Sequence, residues 1–325
     1  MKSDSRNIKY FDLQLSCTFR VSRESFGTVA ARPLLDLLQE LQRELKRGGE
    51  FNVAAGYGNQ LFTLEKIDIA DDRSKAMMLV SRSDRLAANQ AISDPKKRRF
   101  SKYKKQEGEG NAYSCHVAMN LTRKPNGYLC LVEESTGISG AHVLRLVRGL
   151  IRRAKLGKSS FFLIKDPSGA VNGSGQPIVK KLNYLLRLDG HPSPSFVKEL
   201  NEGVLEGFQV IDEKNADNVW DDEKLTTEKA RVIHLKPKPT LREQAYSVVK
   251  SVCATAHKHK YEAVRVKFTD SKQFKRSVIL EAAQMRLVNE DRFVRKERIT
   301  NFSEPLDTAY QEIHSEIRDK MFYLL

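Results

Sequence analysis

Apolar residues alternate with mostly polar ones through Phe11, Leu13, Leu15, Cys17, Phe19 and Val21, a period of two that predicts a β-strand with one buried face. The period then changes. Pro33 opens the run LLDLLQELQRELKR, where Leu34, Leu37, Leu38, Leu41 and Leu45 share one side before Gly48 and Gly49, so an amphipathic helix is predicted. β-like runs follow at 60–69 and 77–83. AYSCHVAMNL and GYLCLVEES flank the turn RKPN and predict a hairpin across 112–132; residues 137–157 then read as a basic amphipathic helix. Strands are predicted at 161–165 and 179–188.

Between those strands GAVNGSGQP, residues 169–177, is a turn and the best internal boundary. It implies an N-terminal unit over 1–168 and a C-terminal unit over 178–325. In the latter a short helix is expected from near Pro194, strands at 208–212 and 229–236, and a helix at 241–257 after Pro237 and Pro239. Strands at 261–268 and 277–280 follow, and a terminal helix runs over 305–323, packing back on the second unit or on a partner subunit. The class implied is α+β, with mixed or mostly antiparallel sheets, a few packed helices and no internal repeat.

Charge changes this picture. The 325 residues carry a formal net charge of +15 with 40% apolar residues, so a polyanion is the favoured partner of an otherwise ordinary globular chain. Residues 94–105, DPKKRRFSKYKK, gather Lys96, Lys97, Arg98, Arg99, Lys102, Lys104 and Lys105 around Phe100 and Tyr103, a phosphate-seeking composition expected to form a loop. On the 137–157 helix, Arg145, Arg148, Arg152 and Lys155 recur at three or four and share a face away from the apolar stripe; Arg suits phosphate through its planar fork. Lys258, Lys260, Lys272, Lys275 and Arg276 form further basic clusters. The alternative for each run is a plain solvated face, and Phe100 and Tyr103 could stack on unpaired bases or anchor the loop to its own protein. The basic helix lacks the Trp or Phe that membrane-surface helices insert.

Cys17, Cys115, Cys130 and Cys253 show neither CxxC nor Cys/His spacing, which argues against structural zinc and fits a reducing compartment. The N-terminal MKSDSRNIKYFD lacks a signal peptide's apolar core and no run of about 18 apolar residues occurs. A soluble cytoplasmic protein without membrane insertion of its own is expected.

No catalytic set assembles from the sequence. VRVKF at 264–268 has Arg265 where a nuclease carboxylate would precede Lys267, with Glu262 and Asp270 outside the needed spacing. Asp68, Asp71 and Asp72 could bind a metal or form a polar turn. His257 and His259 sit among cations, which suits a pH-sensitive basic patch better than a metal. His116 and His234 lie in strand-like runs, and neither phosphate-loop signature occurs. No catalytic residue, metal site or cofactor is therefore assigned.

The order of elements resembles the DNA-binding sensor family of the lambda Rex phage-exclusion system. LLDLLQEL leads into LFTLEKIDI, YLCLVEESTGIS runs into HVLRLVRGLI, and EAVRVKFTDSKQFKRSVILE precedes ERITNFSEPLDTAYQEIHSEIRDKM. The likeness covers most of the chain in architecture and little of it in identity; the DNA-binding subunit of the Kiwa defence system is a looser parallel. The resemblance implies DNA binding with little sequence preference, a homodimer, and a signal passed in antiviral defence to a separate effector, a membrane-embedded one included. It transfers no site residue, so those above rest on charge placement. The expectation is non-catalytic binding of duplex DNA, with RNA also possible. A metal-dependent nuclease and a basic module docking an acidic protein are the alternatives.

Overall fold

The computed structural model describes residues 2–22, 25–94, 96, 98–125, 127–157, 159–212, 231–237, 245–288 and 292–325. Along the chain lie β1 (Arg6–Arg20), β2 (Phe26–Val29), α1 (Leu34–Gly48), β3 (Phe51–Ala55), β4 (Gln60–Ile69), β5 (Lys75–Asp84), β6 (Ala91–Asp94), β7 (Arg99–Lys102), β8 (Asn111–Asn120), β9 (Tyr128–Glu133), α2 (Gly140–Leu156), β10 (Leu163–Lys165) and β11 (Val179–Gly190). They are followed by α3 (Pro194–Glu202), β12 (Val204–Asp212), β13 (Arg231–Leu235), α4 (Ala245–Lys258), β14 (Ala263–Thr269), β15 (Lys275–Glu281), β16 (Leu287–Val288), β17 (Lys296–Ile299) and α5 (Ser315–Leu324). The class is α+β with mostly antiparallel sheet, as the periodicity implies. Residues 229–230 of one predicted strand and 241–244 of one predicted helix lie outside the described residues.

Two compact units form. One comprises Met1–Ile8, Leu13–Arg187 and Glu297–Leu325, the other Lys9–Asp12 and Leu188–Lys296. The division falls within β11, not at 169–177. That glycine-rich stretch closes the β10–β11 hairpin, paired from Leu163↔Lys181 to Lys165↔Val179, and Asn172 Oδ1 accepts the Ser174 and Gln176 amides at 3.0 and 2.9 Å. Turn chemistry here marks a hairpin tip.

In the first unit the strands run β9-β8-β5-β4-β3, each antiparallel to its neighbour. Paired residues share a face. Phe62↔Arg82 and Val80↔Cys115 belong to the face that α1 and α2 cover, with Phe62 stacked on His142 of α2 at 4.2 Å. Leu79↔His116 and Lys75↔Asn120 belong to the other, where residues 303–325 lie: Lys75 Nζ donates to the Phe322 carbonyl at 2.6 Å. Two covered faces explain why Met77–Val80 and Ser114–Met119 are buried without alternation. Leu34, Leu37, Leu38 and Leu41 of α1 are at most 2% exposed; truncating one to Ala costs about 2–5 kcal/mol.

The terminal helix is shorter than predicted and belongs to the first unit. Residues 305–314 are not helical because β8 captures their backbone. The Ser114 amide donates to the Thr308 carbonyl at 3.0 Å, the Tyr310 amide to Ser114 Oγ at 3.0 Å, and the His314 amide to His116 Nε2 at 3.1 Å. In the second unit the order is β13-β12-β14-β15-β16, with α3 and α4 against it. Val264, Val266 and Phe268 are fully buried at every second position of β14, and Phe268 meets Phe196 of α3 at 6.3 Å between ring centres.

Candidate nucleic-acid interface

Between β5 and β8 the chain leaves the first unit's sheet and returns as a two-stranded arm. Among the described residues β6 and β7 pair only with each other, from Ala91↔Lys102 to Asp94↔Arg99. The expected loop is therefore a hairpin. Its sequence hides this because no face is buried: every described residue from Lys96 to Lys104 is exposed. Backbone pairing and turn chemistry hold it instead. Asp94 Oδ1 accepts the Lys96 amide at 3.1 Å, an Asx turn, and Arg98 takes φ +49° in the left-handed region at the tip.

The base of the arm is fastened to the sheet edge. Lys105 Nζ donates to the Arg85 carbonyl at 2.8 Å and also to that of Ala87. Asp84 accepts the Leu86 and Ala87 amides at 3.0 and 3.2 Å. The Tyr103 amide reaches the Gln90 carbonyl at 2.9 Å, and its hydroxyl donates to Glu109 at 3.1 Å; that hydrogen bond, then the carboxylate's charge, holds the phenol above its usual pKa. Gly110 returns the chain where a Cβ would stand 2.8 Å from Asp84 backbone. Tyr103 and Lys105 thus serve as anchors, while Phe100 is 68% exposed.

The remaining described arm cations are free. Among the described residues none pairs with the side chains of Lys96, Arg98, Arg99, Lys102 or Lys104; Lys97 lies outside them. The register puts Phe100 and Lys102 on one face of the ribbon and Arg99 on the other, with Lys96 and Arg98 in the tip. Four paired residues extend about 13 Å, so charge is offered forward and on both sides.

The α2 cations differ. Arg145 donates to the Ala54 carbonyl at 3.0 Å, Arg148 to the Leu186 carbonyl, and Lys155 to Asn183 Oδ1. Burial, then the neighbouring Lys181 charge, holds Lys155 below the usual lysine range. Arg152 alone of the four is exposed without a partner among the described residues. Equal spacing on a helix did not reveal that two strand carbonyls and the Asn183 side chain take up three of these side chains. Arg145 does stand at the arm's end of the sheet, since Ala54 pairs with Leu61, Leu61 with Ser83, and Ser83 with Ala112.

In the second unit Lys258 and Lys260 lie at the end of α4, before β14, and Lys272, Lys275 and Arg276 lie beyond its other end. Seven strand residues separate the clusters by about 20 Å, so the fold does not merge them. Arg276 is paired with Asp270 at 2.9 Å. Two residues that charge counting missed join the arm's base: Arg85, exposed, whose amide meets the Asn59 carbonyl at 2.9 Å, and Tyr57, fully exposed at φ +54° in the adjoining Gly56–Gly58 turn. The glycines flanking Tyr57 were the available signal.

Asp71 and Asp72 occupy the β4–β5 turn, where Asp72 accepts the Ser74 amide at 3.0 Å and its hydroxyl at 2.6 Å. The described residues contain no group of three or more His, Cys, Asp or Glu placed to hold a metal, and no helix among them is long and apolar enough to cross a membrane. No protein-family model, curated protein or solved structure matches this chain.

Proposed function

We propose that this protein binds duplex DNA with little sequence preference, through the β6–β7 arm. The observation that carries this reading is five unpaired cations on an exposed two-stranded ribbon fastened at its base. A two-stranded ribbon fits the major groove of B-form DNA, about 12 Å wide, whereas the deep, narrow major groove of A-form RNA excludes it. Lys and Arg side chains fix position on phosphates and carry no base information of their own. Tyr57 and Arg85 extend the surface toward the flanking backbone. The proposed role is binding without turnover. Assembly as a homodimer that reports to a separate effector in phage defence belongs to the proposal through the resemblance above.

The test is fluorescence anisotropy with one sequence as duplex DNA, single-stranded DNA and duplex RNA, with and without magnesium and with polyglutamate as competitor. The expected order is duplex DNA first, unchanged when the sequence is scrambled, with intact DNA recovered from magnesium. Duplex RNA binding as well as duplex DNA, DNA displaced equally by polyglutamate, or magnesium-dependent cleavage would each overturn the reading.

A further inference from the structure

The second unit contains a cavity of about 670 Å³, within the range of about 300–1,000 Å³ typical of small-ligand sites. Its walls are the first turn of α3 with Pro194 and Val197, a face of α4 with Tyr246, Lys250 and Ala254, and the β15–β16 turn with Met285 and Arg286. These walls are preformed. Ser193 Oγ accepts the Phe196 amide at 3.1 Å and starts α3. Glu281 accepts the Ala283 and Gln284 amides at 3.1 and 2.8 Å, which fixes the turn. Met285 is held there at φ +57°, a conformation a non-glycine residue keeps only when its surroundings impose it.

The charged part of the lining is cationic. Lys250, Arg286 and Arg295 line the cavity, and among the described residues no Asp or Glu does. Two described acids of this unit are engaged elsewhere: Glu281 with its turn, and Asp12 with His191 at 3.1 Å and the Arg286 Nε at 2.7 Å. Asp12 therefore holds Arg286 by its Nε. The two terminal nitrogens of that guanidinium have no acceptor among the described residues, and a fork of this kind suits a carboxylate or phosphate. The positive end of α3 adds to the same field. The other walls, Val197, Pro194, Met285 and the Tyr246 ring, are apolar. Cys253 also lines the cavity, but burial, then the Glu281 charge, pushes its thiol up to about 12, so it offers no nucleophile.

We propose that this cavity binds a small organic anion, an apolar or aromatic body carrying one carboxylate, phosphate or sulfonate. The acid group meets Arg286 and Lys250 and the body packs on Val197, Met285 and Tyr246. The site shares no residue with the DNA-binding arm, so either reading can fail alone.

The test titrates the full-length protein with 8-anilinonaphthalene-1-sulfonate, an aromatic body with one anionic group, followed by its fluorescence. One saturable site per chain is expected. Lys250→Glu, a change at an exposed residue, should weaken it about tenfold or more. Ala254→Trp should block it, and the neutral N-phenyl-1-naphthylamine should bind about tenfold more weakly. Lys275→Glu makes the same charge change outside the lining and should leave affinity within about twofold. Equal weakening by Lys275→Glu, or undiminished binding to a folded Ala254→Trp, overturns the proposal, and equal affinity for the neutral probe overturns its anionic part. If Ala254→Trp does not fold by circular dichroism, the comparison of Lys250→Glu with Lys275→Glu decides.

Discussion

Glu133→Gln removes one charge from the most deeply buried polar cluster described in the first unit. Arg6, His116 and Glu133 are 3%, 0% and 1% exposed. Glu133 is paired with Arg6 Nε at 2.8 Å, accepts the His116 amide at 2.9 Å, and lies 2.7 Å from His116 Nδ1. Because the His314 amide donates to Nε2 of the same ring, the ring proton sits on Nδ1 and donates to Glu133. The substitution keeps shape and an acceptor for His116 but leaves the Arg6 guanidinium buried with only carbonyl partners from Lys2, Ser5 and Asp307. An uncompensated buried charge costs about 3–5 kcal/mol. At about 2–4 °C per kcal/mol for a domain of 150–250 residues, the melting temperature should fall by roughly 10 °C. The double change Arg6→Met with Glu133→Met should recover about half of that and leave a loss of about 1–3 kcal/mol, because His116 then lacks its acceptor. Urea denaturation followed by circular dichroism measures both. A loss under about 1 kcal/mol for Glu133→Gln, or a double variant worse than the single one, would refute the assignment of the cost to the stranded Arg6 charge.

Three further outcomes are expected. Arg153 sits 3.2 Å from Glu44 and donates to the carbonyls of Glu44, Gly49 and Glu50, so Arg153→Ala should lower stability by about 2 kcal/mol in the same denaturation assay while leaving DNA affinity unchanged; weakened DNA binding with intact stability would place it on the interface. Lys105→Met should leave the salt dependence of DNA binding unchanged, since its ammonium serves the Arg85 and Ala87 carbonyls; a decrease in slope of about one unit would put Lys105 on a phosphate. Below about pH 4 the protein should lose stability. Hydrogen bonds from Ser74, Ser168 and Ser303 lower the carboxyls of Asp72, Asp166 and Glu316, and at Asp270 burial is outweighed by the Phe274 amide, Arg276 and the Lys272 amide. Such groups stabilise the fold above their ordinary values of 3.8 and 4.5 and cease to as pH falls through the lower folded values. Asp270→Asn should flatten the acid limb of a thermal-melting series, and an identical limb would remove Asp270 from this account.

Where burial imposed a period, the sequence was readable: β1 and α1 follow from alternation and leucine spacing, and the β8–β9 hairpin from two apolar runs about a turn. The arm was not, because a ribbon exposed on both faces leaves no apolar period and its cations mask the strands. Residues 305–314 looked helical, yet Ser114 and His116 bind their amides, a contact made across 198 positions between His116 and His314. The candidate site was half legible. Composition located Lys96 to Lys104, whereas the commitment of Arg145, Arg148 and Lys155 to internal acceptors, and the approach of Tyr57 and Arg85, depend on tertiary placement that spacing does not encode.

The central claim is that the arm's free cations contact DNA phosphates, and the salt dependence of duplex binding tests it most directly. Each neutralised phosphate contributes about −0.9 to the slope of log K against log salt. Replacing Lys96, Arg98, Arg99, Lys102 and Lys104 together with Ala should therefore flatten the slope by up to about 4.5, equivalent to roughly 500-fold of affinity change between about 50 and 200 mM salt. A slope that stays at the unsubstituted protein's value, in a variant with unchanged circular dichroism, would contradict the account.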